Sequence, residues 1–204
     1  MIIIEVEGLD KSGKNSQSEL LYQALHERGY NVQKSEFHRY DTPTGQLIRK
    51  FLDGEYQPNQ LAIECIMAAD KYAQLDWFEE LKKSTDILIL DRYLTSQIVY
   101  SSANGVDVDF ILNLLEHMPA PNFHVFLDIE PEESMKRKGK WGENDKYESN
   151  QELLTRVREK YLRIIELEQE DGKALILDGT KSIDELHQEI LARTLAFVEF
   201  EKVA

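Results

Sequence analysis

The sequence predicts an α/β fold, a mostly parallel five-stranded sheet with helices on both faces. Three observations carry this. Five short β-forming runs recur along the chain, IIIEV (2–6), VQKSEF (32–37), ILIL (87–90), HVFLDI (124–129) and ALIL (174–177), each followed by a helical period. Strands separated by helices need crossovers, and crossovers pair them in parallel with both sheet faces buried. No internal repeat and no linker rich in Pro, Gly or Ser divides the 204 residues, so residues 1–204 read as one domain. The balance of 42% hydrophobic against 30% charged residues is that of a soluble globular chain and excludes a disordered or collagen-like one.

The helices follow in order. The first runs over Asn15–Arg28 and ends at Gly29; the next cover Thr44–Leu52 and Gln60–Lys83. Thr95–Ala103 and Val108–His117 come after the third strand, and Ser149–Glu170 forms a long amphipathic helix. Ser182–Val198 opens with Ser182-Ile-Asp-Glu185, a capping-box spacing that sets a hydroxyl and a carboxylate at the helix start.

Charge narrows the function. With 24 Lys+Arg against 38 Asp+Glu the net charge is −14, so the molecule as a whole repels polyanions and is neither a nucleic-acid coat nor an anionic-membrane binder. An anionic ligand must be met by local cations. The one cysteine, Cys65, lies in the apolar stretch IECIMAA, which reads as a small buried side chain; a lone thiol fits a reducing compartment. MIIIEVEG is too short to span a membrane and carries no basic leader, which predicts a cytoplasmic protein. His26, His117, His124 and His187 lack metal-ligand spacing.

The strongest motif is Gly8-Leu-Asp-Lys-Ser-Gly13-Lys14, directly after the first strand and before the first helix. Glycines let the backbone curl around a phosphate chain, the helix N-terminus adds its dipole, and Lys14 reaches the β- and γ-phosphates. The residue after this lysine is Asn15 rather than Ser or Thr, so Mg²⁺ falls to the Asn15 amide through water or to Ser16. Asp10 needs a hydrogen-bond donor such as a sugar 3′-hydroxyl, or a nearby cation, while Lys11 adds a second cation beside the phosphates.

The run ILIL ends abruptly in Asp91-Arg92-Tyr93, at the strand edge where open α/β sheets bind ligands. Asp91 would hold Mg²⁺ through water or act on the nucleophile, and Arg92 would clamp an acceptor phosphate. Residues 136–148, KRKGKWGENDKYE, concentrate positive charge in an acidic chain and read as a flap that closes over phosphates and brings Arg137, Lys140 or Lys146 to the transferring group. Leu177-Asp-Gly-Thr180 follows the last strand at the same edge.

With EGLDKSGK (7–14), FHRYDTPTG (37–45), AADKYAQ (68–74) and LDRYLTSQIVYSS (90–102) beside that flap, the chain resembles the thymidylate kinases of the nucleoside-monophosphate-kinase group over nearly its full length. The resemblance implies a three-layer P-loop NTPase fold with a lid at about residues 136–148, ATP and Mg²⁺, and transfer of the γ-phosphoryl of ATP to dTMP. On the ATP side it implies Gly8, Lys11, Ser12, Gly13, Lys14, Asn15, Ser16, Arg137, Gly179 and Thr180. Around dTMP it implies Asp10, Phe37, Arg39, Tyr40, Met67, Lys71, Arg92, Gln97 and Tyr100, with Asp10 on the 3′-hydroxyl and Tyr100 beside the sugar 2′-carbon. Lys14, Arg92, Asp91, Lys11 and Arg137 would carry the transfer, and Asn15, Ser16 and Asp91 the metal. It further implies a homodimer, with apolar faces of 60–83 and 95–103 as candidates.

Four positions depart from the family pattern. Tyr40 stands where an arginine is usual, His38 where proline is, Met67 where an aromatic stacks on the base, and Lys71 where an arginine donates to it. Methionine packs less specifically than a ring and lysine donates from one point, which predicts relaxed base selectivity. The alternatives are a broader deoxynucleoside monophosphate kinase, a deoxynucleoside kinase with Glu36 as general base, and a nucleotide-binding protein without turnover.

Overall fold

The structure, a computed structural model, describes residues 1–137 and 145–203. Its elements follow in chain order: β1 (Ile2–Gly8), α1 (Lys14–Glu27), β2 (Val32–Glu36), α2 (Pro43–Leu52), α3 (Gln60–Tyr72), α4 (Leu75–Leu81), β3 (Ile87–Asp91), α5 (Leu94–Ala103), α6 (Val108–Leu115), β4 (Phe123–Asp128), α7 (Pro131–Lys136), α8 (Gln151–Glu170), β5 (Ala174–Asp178) and α9 (Ile183–Val203). The five strands form one parallel sheet in the order β2-β3-β1-β4-β5. β1 is central, paired with β3 through Val6↔Asp91 and with β4 through Gly8↔Leu127, so the phosphate-loop motif and the Asp91-Arg92-Tyr93 motif leave the same sheet edge side by side.

Alternation along β1 divides the two faces. Ile4 and Val6 pack with Leu21 and Leu25 of α1 and with Leu186 and Ile190 of α9. The other side of β1 carries Ile3, Glu5 and Glu7, and both carboxylates are fully buried. On that face α3, α5 and α8 supply Met67, Val99 and Tyr161, and Phe78 of α4 packs with Leu88 and Leu90 of β3.

Three expectations are corrected. The helix expected over Gln60–Lys83 is two helices, α3 and α4, broken at Ala73–Gln74; the break lets Ala68 and Phe78 both reach the β3 face, so packing overrides a sequence with no Gly or Pro at that point. Cys65 is exposed, because Ile63, Met67 and Ala68 turn inward and residue 65 falls on the opposite side of α3. The short helix α7, with Pro131 at its start, arises where no element was expected. The capping box at Ser182 forms as anticipated: the Glu185 N–H donates to Ser182 Oγ at 3.3 Å and the Ser182 N–H to Glu185 Oε2 at 3.0 Å.

Candidate active site

The phosphate loop is shaped by backbone that only some residues tolerate. Gly8 has φ 149°, and a Cβ there would stand 2.6 Å from the Leu127 carbonyl oxygen and from Ser12 Oγ. Lys11 (φ 63°) and Gly13 (φ 106°) are left-handed, and Gly13 caps α1 without a side chain, so no side-chain oxygen competes for the first-turn N–H groups. That is the geometry of an anion cradle. Lys14 is buried and its Nζ donates to the Leu9 carbonyl at 2.9 Å. Burial and the nearby Arg92 hold its pKa below the usual lysine range, opposed by Asp10, Asp91 and Glu7. Ser12 Oγ is buried with no hydrogen-bond partner, a polar group left for a ligand. Asn15 and Ser16 are exposed at the start of α1, and their side-chain oxygens, like those of Asp91, are of the kind Mg²⁺ prefers.

Arg92, just past β3, holds an equally constrained backbone at φ 63° and its N–H donates to the Val6 carbonyl at 3.1 Å. Its guanidinium meets Asp10 at 2.6 Å through Nη2 and reaches Ser96 Oγ at 3.1 Å and the Tyr161 hydroxyl at 3.4 Å through Nη1. Burial alone would raise the Asp10 pKa, yet Arg92 and Lys14 beside it bring it down to about 2. Tyr100 stacks under the same guanidinium at 5.5 Å, with its hydroxyl 3.5 Å from Asp10.

Beneath this pair lie two residues that sequence reasoning missed. Glu7 accepts from the N–H groups of Tyr93 and Ser96, both at 3.1 Å, and Glu5 accepts from the Thr95 N–H at 2.9 Å. The start of α5 has no cap of its own, so β1 caps it across the fold with two carboxylates. His124 of β4 lies 3.1 Å from Glu5 as an ion pair outside hydrogen-bond geometry. Burial and the adjacent Glu5 push Glu7 up to about 8, although Arg92 opposes them. The signal for both was present: ionisable residues at alternate positions of a central apolar strand need partners.

A cleft of about 650 Å³ opens beside Asp10 and Arg92. Phe37, Tyr40, Met67, Lys71, Gln97 and Tyr100 all line it, so most residues expected around the acceptor are brought together. Lys71 Nζ donates to Gln97 Oε1 at 2.8 Å, while Gln97 Nε2 donates to the Glu64 carbonyl at 3.1 Å, which fixes the orientation of the amide. Burial draws Lys71 down to about 8 against the pull of Asp70 and Glu64. Asp145 and Tyr147, from the segment expected as a flap over the phosphates, also line the cleft.

The segment 38–45 is ordered by Asp70, a buried residue of α3 that sequence reasoning quoted but gave no role. It accepts from Thr42 Oγ1 and Thr44 Oγ1, both at 2.8 Å, and from the Arg39 N–H at 3.0 Å, and His38 Nδ1 lies at 3.2 Å. Gly45 is required because a Cβ would sit 1.9 Å from the Arg39 carbonyl oxygen. Arg39 itself departs from expectation. Its guanidinium lies against Asp41, Gln74 and the Trp77 ring instead of lining the cleft, while its N–H is the group that meets Asp70. Glu36 is exposed and likewise absent from the cleft wall.

On the other side of the loop, Arg137 ties three elements together. It donates to Glu133 at 2.8 Å and to the carbonyls of Lys11 and Gly179, both at 3.2 Å. Gly179 packs closely enough that a Cβ would meet Ile129 Cγ2 at 2.8 Å; Thr180 folds onto Asp178. Lys11 Nζ pairs with Glu148 at 3.0 Å. Lys146 lies over the Phe51 ring at 4.3 Å, on the acceptor side; Lys140 and Trp141 of the expected lid lie outside the described residues.

A phosphate cradle at the end of a central parallel strand, beside a cleft lined by Arg92, Lys71 and Gln97 together with Phe37, Met67 and Tyr100, defines a P-loop phosphotransferase with separate donor and acceptor sites. The thymidylate kinase family profile matches residues 6–190. The chain is 33% identical over 195 residues to a probable thymidylate kinase of Methanococcus aeolicus, covering 94% of this chain and 95% of that one. It is 29% identical to a thymidylate kinase of Schizosaccharomyces pombe, covering 93% and 89%. The solved Candida albicans thymidylate kinase, described as revealing the origin of broad substrate specificity, superposes with TM-score 0.78 at 27% identity, covering 98% of this chain and 92% of that one. The chain belongs to the thymidylate kinase family, and its activity is the phosphorylation of dTMP by ATP.

Proposed function

We propose that the transfer runs between Lys14 and Arg92, with the ATP phosphates in the loop 8–14 and the dTMP phosphate on Arg92. The observation that carries this is the Asp10–Arg92 contact at 2.6 Å, which joins the donor loop to the acceptor cleft. Gly8, Ser12, Gly13 and Lys14 surround the β- and γ-phosphates; Lys11 and Arg137 neutralise charge at their edge, and Gly179 and Thr180 abut the adenine. Asp10 takes the sugar 3′-hydroxyl, Tyr100 closes the space at the 2′-carbon, and Phe37, Met67, Lys71 and Gln97 hold the base, with Tyr40 at the phosphate end.

Asn15 or Ser16, with Asp91 through water, would hold Mg²⁺, which would supply neutralising charge for the ATP phosphates. The acceptor phosphate is already anionic at neutral pH, so the protein supplies position and charge and needs no general base. The exposed position of Glu36 argues in the same direction, against a nucleoside 5′-hydroxyl acceptor.

The experiment is ADP release from Mg²⁺-ATP with dTMP, dUMP, dGMP, dCMP, UMP and thymidine. Dominant turnover of dTMP supports the reading; comparable rates across the monophosphates make the enzyme a broad deoxynucleotide kinase, and silence with all of them overturns it. A homodimer is supported by Leu61 of α3 and Val108, Phe110 and Leu112 of α6, which are exposed apolar side chains. The 95–103 face, by contrast, is used in the protein's own core. Sedimentation at two concentrations tests the dimer. Among the described residues no helix is long and apolar enough to cross a membrane, and an exposed Cys65 thiol fits a reducing, cytoplasmic setting.

A further inference from the structure

Besides Asp10, Arg92 is held by two hydroxyls that both return to one carboxyl group. Its Nη1 rests on Ser96 Oγ and the Tyr161 hydroxyl, and both of those hydroxyls donate to Glu7 Oε2, at 2.6 and 2.7 Å. The two hydroxyl oxygens stand 2.8 Å apart. Glu7 Oε2 stands 3.9 Å from Arg92 directly. Its other oxygen accepts the N–H of Tyr93, the residue after Arg92, at 3.1 Å. Side chain and backbone of the clamp are therefore referred to the same group, which is the last side chain of β1 before the phosphate loop.

We propose that Glu7 is a positioning residue of the phosphoryl transfer, setting the Arg92 guanidinium through Tyr161 and Ser96 so that it faces the acceptor phosphate. The inference rests on the reading of Arg92 as the acceptor clamp. Three features support it. Glu7 is fully buried at zero exposure, where an ionisable side chain is costly and an apolar residue would serve packing better. Capping of α5 uses only one of its oxygens, Oε1 on the Ser96 N–H at 3.1 Å, and leaves Oε2 to the two hydroxyls that hold Arg92. The backbone of Arg92 lies in the left-handed region, which a non-glycine residue keeps only when its surroundings over-determine it. Of the two carboxyl groups near the guanidinium, Asp10 is spoken for by the sugar in the proposed complex, which leaves Glu7, acting through the two hydroxyls, as the fixed reference.

The test is a double-mutant cycle on turnover. Glu7→Gln keeps the volume but puts an amide where a carboxyl group receives the Ser96 and Tyr161 hydroxyls; in the otherwise wild-type enzyme it should lower kcat/KM for dTMP by about 30-fold or more while KM for ATP moves less than about twofold. In an Arg92→Lys background, where the fork that Glu7 orients is gone, the same change should cost less than about threefold. Tyr161→Phe removes one hydroxyl of the chain of contacts and should behave alike with a smaller factor, so it carries the same cycle should Glu7→Gln fail to fold. Equal factors in both backgrounds, or a loss that tracks melting temperature, overturn the inference. Wild-type turnover of dTMP and its fall in Arg92→Lys test the underlying reading separately.

Discussion

Asp10 of the phosphate loop and Arg92 past β3 stand 2.6 Å apart, although 82 positions separate them in the chain. The contact follows from the sheet. β1 and β3 are neighbours in register, Val6 beside Asp91, so the two segments leaving their carboxyl ends are bound to meet. Each residue limits the other: Arg92 keeps Asp10 ionised, and Asp10 with Glu7 keeps Arg92 charged well into base.

Removing either cation at the junction should stop the reaction and leave the fold. Lys14→Ala and Arg92→Ala are each expected to lower kcat by about three orders of magnitude or more, because the transition state is stabilised by positioned charge. Steady-state kinetics with circular dichroism checks this, and wild-type-like turnover in either variant would remove the clamp from the mechanism.

Asp70 should govern the acceptor without touching it. Asp70→Ala strips two hydroxyl contacts and one backbone contact from segment 38–45, so KM for dTMP is expected to rise about tenfold or more while KM for ATP stays near its original value. Gly45→Ala should act in the same direction, since its Cβ would overlap the Arg39 carbonyl. Equal increases in both KM values would show instead a general loosening of the fold.

The same carboxylate makes an acid-stability prediction with a definite sign. The contacts from His38, Arg39 N–H and Thr42 outweigh burial and hold Asp70 at about 2, below the ordinary 3.8. A depressed carboxylate stabilises the fold above its unfolded pKa, and that contribution is lost as pH falls from about 4 towards 2. The gap corresponds to roughly 2 kcal/mol. Urea midpoints measured across that range should fall less steeply in Asp70→Asn than in the wild type, and parallel curves would contradict the assignment.

Much of this arrangement was readable in the chain, and the unread parts share a cause. The strands and phosphate loop announce themselves because apolar runs and glycine spacing are local properties. Glu5 and Glu7, in a central apolar strand, signal only that they need partners; that the partner is a helix N-terminus 90 positions away is not a local property. The placement of Arg39 is not a local property either. A loop residue can offer either its side chain or its N–H to the site, and Asp70, remote in sequence, decides which. Cys65, by contrast, was within reach: the inward positions 63, 64, 67 and 68 already leave residue 65 on the outer face of α3.

Lys71 gives the alkaline counterpart. Burial lowers its pKa to about 8, from 10.5, so the cleft loses a cation as pH rises through that value while most of the enzyme's other cations persist. If Lys71 donates to a base carbonyl as a charged group, KM for dTMP should climb above pH 8, by about tenfold per pH unit at most. Lys71→Arg keeps its charge throughout this range, and its KM profile should stay flat to about pH 10. The fork of an arginine should also sharpen the choice of base, so the ratio of kcat/KM for dTMP over dCMP is expected to rise in the variant. An alkaline limb that survives unchanged in Lys71→Arg would assign the titration to another group and leave Gln97, held by Glu64, as the residue that reads the base.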